Sequence, residues 1–124
     1  MKKRVLVTGG RAWSDRGMIE AALEMTYAEF GPFVLVHGAC PSGADKIADE
    51  IAIQRGWEVE RHPADWARYH RGAGPKRNGE MVRSGIDRVL AFLQPNSRGT
   101  QNCIDQAAAE RLDIRVFTEK EPTT

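Results

Sequence analysis

Short apolar runs that alternate with longer amphipathic stretches set the pattern of hydrophobic and polar positions along this chain. A run that is apolar at every position is typical of a parallel strand covered on both faces, whereas alternation indicates a strand with one exposed face. The fully apolar runs are residues 5–7, 33–36 and 89–93, residues 57–60 alternate, and residues 114–117 predict a last strand.

Between these runs, apolar residues recur at helical spacing. Helices are predicted over residues 19–30, from residue 44 to Gly56, from Pro75 to about Ser84, and over residues 100–112. Residues 62–78, rich in Gly and Pro, predict a long ordered loop with one helical turn. Strands that alternate with helices predict an α/β fold, a Rossmann-like three-layer sandwich around a mostly parallel sheet of about five strands.

Length, charge and cysteine content narrow the class of protein. The 124 residues suit one domain, expected over residues 1–118 with a flexible tail at 119–124. A net charge of +1 disfavours binding nucleic acid through bulk charge. Two cysteines in separate segments disfavour a disulfide framework. With neither a signal peptide nor a membrane span in the pattern, we expect a cytoplasmic protein without a membrane partner.

Three glycine-rich turns, at residues 8–11, 37–45 and 97–100, each follow a predicted strand. In a parallel α/β sheet such turns open at one edge, where ligands bind. Glycine lets backbone N–H groups approach an anion, and the N-terminus of the following helix favours negative charge. The turns therefore predict a site for a small molecule that carries phosphate.

The first turn contains Gly9, Gly10 and Arg11. Its glycines are adjacent rather than spaced as G-x-G-x-x-G, so a standard dinucleotide-binding fold is disfavoured. We expect the N–H of Gly10 and the guanidinium of Arg11 to bind a phosphate. The alternative is a tight strand-to-helix turn and nothing more.

The second turn has the outer glycine spacing of a P-loop, at Gly38 and Gly43, without the Lys-Ser/Thr ending, so ATP hydrolysis through such a lysine is disfavoured. Asp45 is expected in the first turn of the next helix. It could accept from a ribose or a base, or pair with the helix dipole while Ser42 caps the helix. A nucleophilic role or a metal site at Cys40 is disfavoured because no partner is evident.

Arg77 and Asn78 lie near the start of the helix predicted from Pro75. A cation there opposes the helix dipole, so we expect Arg77 to pair with an anion, either a ligand phosphate or an acidic side chain. Aromatic residues could stack on a base or merely pack: Trp13, Trp66 and Tyr69. The third turn offers further anion ligands or, alternatively, capping alone: Ser97, Arg98, Gly99 and Thr100.

Taken in order, these motifs resemble the SLOG superfamily, most closely its small YspA-like (cpYpsA-related) branch. The matching segments are residues 7–11, 37–45, 74–81 and 97–100, which span most of the chain. The resemblance implies a Rossmann-like domain that binds nucleotides or nucleotide-derived ligands. The superfamily also contains LOG-type phosphoribohydrolases, which release a base from a nucleoside monophosphate, and the DNA-processing protein DprA.

One departure from the LOG pattern is decisive for the chemistry. LOG enzymes carry an arginine four residues before a methionine, matched by Arg77 and Met81, and a P-G-G-x-G-T-x-x-E motif, matched at Gly99 and Thr100. The glutamate position of that motif holds Cys103. Because the carboxylate that stabilises the developing positive charge is missing, LOG-type hydrolysis is not expected.

We therefore expect a protein that senses or sequesters a nucleotide-derived ligand, with no certain cofactor and no metal. One alternative is an enzyme that cleaves an N-glycosidic or phosphoester bond, with Asp45 as its catalytic carboxylate. A second is a DprA-like single-strand DNA binder, which the near-neutral charge disfavours. A homodimer is left open.

Overall fold

Within residues 1–119, which the structure describes, five parallel strands form one sheet. The structure is a computed structural model, and the expected tail, apart from its first residue, lies outside the described residues. The strand order is β3-β2-β1-β4-β5, and every neighbouring pair is parallel. The strands are β1 (Lys3–Gly9), β2 (Phe33–His37), β3 (Glu58–Arg61), β4 (Arg88–Leu93) and β5 (Ile114–Thr118).

The helices form a layer on each face of the sheet, which confirms the expected Rossmann-like sandwich. They are α1 (Arg16–Phe30), α2 (Ala44–Arg55), α3 (Trp66–Tyr69), α4 (Ala73–Val82) and α5 (Arg98–Ala109), with a 3-10 turn at His70–Gly72 between α3 and α4. Helices α1 and α2 pack together on one face, and α4 and α5 pack together on the other. No helix in the described part of the chain is long and apolar enough to cross a membrane.

The central strands are apolar at successive positions because both of their faces are covered. In β1, Val5 and Val7 point into the core beneath α1 and α2, whereas Leu6 between them points into the core beneath α4 and α5. The same division holds for Leu35 and Val36 in β2. Each central strand thus joins two hydrophobic cores, which explains the continuous apolar runs in the sequence.

Residues 62–78 are more helical than the sequence predicted. The carboxylate of Asp65 accepts from the N–H of Arg68 at 3.1 Å and caps the short helix α3. Helix α4 begins at Ala73, so Pro75 is its third residue, where the missing N–H costs no intrahelical bond. The prediction of a long loop was therefore wrong, and only residues 62–65 are irregular.

The topology places a crevice between β1 and β4. From β1 the chain winds outward through β2 and β3, then crosses to β4 and winds outward through β5. The turns that leave β1 and β4 therefore diverge to opposite faces of the sheet. Such a switch point is where open α/β sheets bind ligands, at the carboxyl ends of the strands.

Candidate functional site

A cavity of about 690 Å³ opens at the carboxyl edge of the sheet, and the three glycine-rich turns converge on it. Ser42 and Gly43 of the predicted site do not reach its wall. The other predicted site residues do line it: Gly9, Gly10, Arg11, Gly38, Asp45, Trp66, Arg77, Asn78, Ser97, Arg98, Gly99 and Thr100. The expected location of the site agrees with this geometry, whereas contact with a ligand stays a prediction.

The second turn packs against the first. Gly43 has φ +74°, and a Cβ there would collide with the backbone of Gly10 and Arg11. The N–H of Ala44 donates to the carbonyl of Gly10 at 3.2 Å, and the hydroxyl of Ser42 donates to the carbonyl of Arg11 at 3.0 Å. The sequence had suggested that Ser42 caps α2, but the structure shows no such cap. A backbone carbonyl of the protein already occupies the N-terminus of α2, so fewer N–H groups remain there to bind a phosphate.

The first turn uses its own N–H within the fold. Gly10 donates its N–H to the carbonyl of Phe92 at 3.0 Å, continuing the pairing of β1 with β4. The expected donation from this N–H to a phosphate is therefore not available. The Arg11 guanidinium is exposed and lies 5.9 Å from the centre of the Trp66 ring, so these two side chains meet at the mouth of the cavity.

The third turn leaves the N-terminus of α5 partly open, because the N–H of Arg98 donates to the carbonyl of Asn96 at 3.1 Å but the turn supplies no side-chain cap. Ser97 is the N-cap residue, but its hydroxyl donates to that of Thr100 at 2.7 Å, and no described side chain caps the first N–H groups of the helix. Thr100 is buried as the third residue of α5 and is not the cap. Backbone donors and Arg98 thus share the cavity wall at a helix N-terminus, a favourable place for an anion.

Asp45 supplies a buried carboxyl group to the wall of the cavity. The residue is 4% exposed, and its Oδ2 accepts from the N–H groups of Gly38 and Cys40 at 3.2 and 3.4 Å. Burial raises the pKa of Asp45 above its ordinary value. The pKa of the Cys40 thiol is also raised, first by burial and then by Asp45, so the thiol form of Cys40 is favoured. This chemistry does not suit Cys40 as a nucleophile.

His37, just before this turn, is committed to the protein. Its Nδ1 accepts from the N–H of Ala39 at 2.9 Å, so its Nε2 carries the proton and donates to Asp49 at 2.6 Å. Asp49 also accepts two hydrogen bonds from Arg61. No group of three His, Cys, Asp or Glu residues suited to a metal ion occurs among residues 1–119.

Arg77 joins three segments of the chain. Its Nη1 donates to the carbonyls of Gly38 and, at 3.3 Å, His62, and its Nε donates to Oδ1 of Asn78 at 2.9 Å. No acidic side chain of the described residues forms an ion pair with it, so the salt-bridge alternative was wrong. Arg77 lines the cavity and also fastens the turn after β2 to α4.

Cys103 does not face the cavity. It is fully buried in the core beneath α5, and burial raises its pKa to about 11. The position that holds glutamate in LOG enzymes is therefore turned into the protein here, and Asn102 beside it lines the cavity instead.

The three aromatic candidates lie in different surroundings. Trp13 is buried, with its ring 5.3 Å from that of Phe92, so it cannot stack on a base. Tyr69 is half-buried beneath Arg68 and Lys76 and lies off the cavity wall. Trp66 is 48% exposed and lines the cavity, which leaves it as the aromatic candidate for a base.

Several polar residues of the wall were missed from the sequence. Gln94 directly follows β4, a position that the strand pattern itself marks. Asn102 lies one helical turn after Arg98 on the same side of α5, so its spacing was a usable signal. Arg71, in the 3-10 turn, had no such signal because that turn was read as loop. The missed residues are Arg71, Gln94, Asn96 and Asn102.

Comparisons with known proteins agree with this arrangement. Residues 3–69 match the family described as "YAcAr: YspA, cpYpsA-related SLOG family". The chain is also similar to the "Gene 61 protein" of Mycobacterium phage D29, with 42% identity over 125 residues that cover 95% of this chain and 98% of the relative. The family match contains the first two glycine-rich turns, and the phage relative matches nearly the whole chain. The chain belongs to the YspA, cpYpsA-related SLOG family.

Proposed function

We propose that the protein binds a nucleotide or nucleotide-derived ligand in the cavity at the carboxyl edge of the sheet, as a sensor or sequestering protein. One observation carries the proposal: the uncapped N-terminus of α5 shares a cavity wall with the guanidinium groups of Arg11 and Arg98. Membership of the family supports a nucleotide-related ligand. A cytoplasmic setting suits such a ligand and the two free thiols of the described chain.

The phosphate is the part of the ligand that this wall would bind. Arg98 is the first residue of α5, where a cation opposes the helix dipole, and a bound anion would offset that cost. Gly99 brings the helix backbone to the same wall. Arg11, at the mouth, would contact the phosphate from the opposite turn.

The remainder of the ligand would lie along the rest of the cavity. Asp45 would accept from a ribose hydroxyl, and Trp66 would cover a base. A volume of about 690 Å³ falls within the range of roughly 300–1,000 Å³ common for small-molecule sites. The cavity thus has room for a nucleotide.

Calorimetric titration with AMP, ATP, NAD and ADP-ribose tests the proposal. Arg98→Ala should weaken binding about 10- to 100-fold, the effect of losing a charge-assisted hydrogen bond of about 1.5–3 kcal/mol. Arg83→Ala, which removes the same group from an exposed position off the cavity wall, is the matched control. If the wild-type protein binds none of these compounds, the proposal fails.

Nucleotide hydrolysis is a second candidate function, and Asp45 favours it. A buried carboxyl group with a raised pKa on a cavity wall is suited to general acid catalysis. Chromatography of nucleotides incubated with the protein separates the two functions. Turnover that Asp45→Asn abolishes would support the enzyme, whereas saturable binding without product would support the sensor.

A further inference from the structure

The amide of Asn102, on the wall of the cavity, has its orientation fixed by the protein. Asn102 lies on α5, half-buried, one turn beyond Arg98 and on the cavity wall. Its Oδ1 accepts from Nδ2 of Asn78 at 3.2 Å and from Nε2 of Gln106 at 2.8 Å.

On one side of Asn102, the orientation follows from Arg77, whose guanidinium can donate hydrogen bonds but cannot accept them. The Nε of Arg77 can only donate, so the atom of Asn78 that it meets at 2.9 Å must be the oxygen. The other end of Asn78 is then its NH₂ group, which also donates to the carbonyl of Gly99 at 3.2 Å. Asn78 therefore presents a donor to Asn102.

The other side gives the same result independently. The NH₂ group of Gln106 donates to the carbonyl of Pro75 at 2.9 Å, and a carbonyl can only accept. Gln106 therefore also presents a donor to Asn102. With a donor on each side, the atom of Asn102 between them is its oxygen, and the amide cannot flip without opposing two donors.

The NH₂ group of Asn102 is consequently the end left for the cavity. Within residues 1–119 it donates no hydrogen bond to the protein, and it is not sealed in the interior, since every buried side-chain polar atom there has a partner. A fixed donor that faces a binding cavity selects for a ligand atom that accepts.

We propose that Asn102 is a specificity-determining residue that donates a hydrogen bond to a sugar oxygen of the bound nucleotide. This inference rests on the proposed function. Four residues of helix rise about 6 Å, so the amide lies beyond a phosphate held at the N-terminus of α5. The sugar is the next group along a nucleoside 5′-phosphate.

Asn102→Asp is the direct test, because the carboxylate still accepts from Asn78 and Gln106 but presents an acceptor to the cavity. Binding of inorganic phosphate, ribose 5-phosphate and AMP is measured by calorimetry. We expect ribose 5-phosphate and AMP to bind at least 10-fold more weakly, and inorganic phosphate to lose clearly less. An equal loss for all three probes would mean charge repulsion alone and would overturn the inference.

Two uncharged variants separate a hydrogen bond that Asn102 donates to the ligand from a purely structural role of Asn102 in the protein. Asn102→Ala removes the donor, whereas Gln106→Leu removes one bond to Asn102 and leaves the donor, held by Asn78, in place. We expect AMP affinity to fall at least 10-fold in the first variant and less than threefold in the second. Equal losses would reduce Asn102 to a structural role.

The outcomes also distinguish the two proposals. If the wild-type protein binds AMP and Asn102→Asp binds it equally well, the inference about Asn102 fails and nucleotide binding stands. If the wild-type protein binds none of the probes, nucleotide binding fails and the inference about Asn102 falls with it.

Discussion

Asp45 is a buried carboxyl group on the cavity wall, and its burial bears on the stability of the fold. Its carboxyl group is held by two backbone N–H groups, yet burial is the largest influence on its pKa and raises it. Folding therefore favours the protonated form. The stability that this shift contributes is complete below the unfolded pKa and is lost as pH rises through the folded pKa. Above the folded pKa, the buried ionised group costs stability.

Asp45→Asn should accordingly raise the melting temperature near pH 7.5. The amide oxygen can still accept from Gly38 and Cys40, and no charge is buried. The advantage over the wild-type protein should shrink as pH falls toward the ordinary pKa of an aspartate, where the wild-type group is protonated. Thermal melts at several pH values measure it. A variant less stable than wild type at neutral pH would show that the two N–H groups outweigh burial.

Arg77 is expected to matter for stability as well as for the site. Its three hydrogen bonds join the turn after β2, the end of β3 and α4. Arg77→Ala should cost about 1.5–3 kcal/mol, the scale of bonds made by a charged group. Urea unfolding measures this cost. Arg98→Ala is the matched control, because the Arg98 side chain forms no hydrogen bond within residues 1–119. Arg77→Lys should not restore it, since an ammonium cannot reproduce the fork. Equal stability of Arg77→Ala and wild type would contradict the structural role.

At the scale of elements, the sequence predicted strands better than helix ends. Residues 5–7, 33–36 and 89–93 fall inside β1, β2 and β4, because a strand covered on both faces must be apolar throughout. Helix α3 has only four residues and shows no periodicity, so its cap at Asp65 was the one signal. Helix α5 begins at Arg98 rather than at Thr100, since polar first-turn residues carry no hydrophobic pattern.

The site was predictable in position but not in its donors. Topology alone brings the turns after parallel strands to one edge. Which N–H groups remain open depends on contacts between turns that are distant in sequence. The carbonyl of Gly10 occupies the start of α2, and its N–H is used by Phe92, whereas the start of α5 meets no such neighbour. No pattern within a single turn reports these pairings.

The contact between the first two turns leaves no room for a side chain at Gly43. Gly43→Ala would impose a side chain at φ +74° and drive its Cβ into the backbone of Gly10 and Arg11. We expect a loss of at least about 2 kcal/mol in the free energy of unfolding. Gly72→Ala is the control, because a Cβ there meets nothing within 4 Å and its φ is −79°. Comparable stability of the two variants would mean that the turns can separate at little cost.

At the scale of the whole molecule, a net charge of +1 conceals an uneven distribution. Many arginines are neutralised by acidic partners, as Arg55 is by Glu20 and Glu24, and Arg88 by Glu29 and Asp113. Four arginines of the cavity wall have no ion pair within residues 1–119: Arg11, Arg71, Arg77 and Arg98. These guanidinium groups place positive charge at one site of small-molecule size, which suits a small anion.

The arrangement of the whole fold also decides what Cys103→Glu would do. Grafting the LOG glutamate onto this position would bring a carboxylate into the core beneath α5, since Cys103 is fully buried and does not line the cavity. We expect a loss of several kcal/mol in stability and no gain of activity. Cys103→Ser, which is smaller and uncharged, is the milder control.

Wild-type protein should likewise release no free base from AMP, GMP, CMP or UMP on long incubation, as measured by chromatography. Multiple turnover by the wild type would replace the sensor with an enzyme and make Asp45 the catalytic carboxylate. Release of base by a folded Cys103→Glu variant alone would show instead that α5 can turn this position toward the ligand.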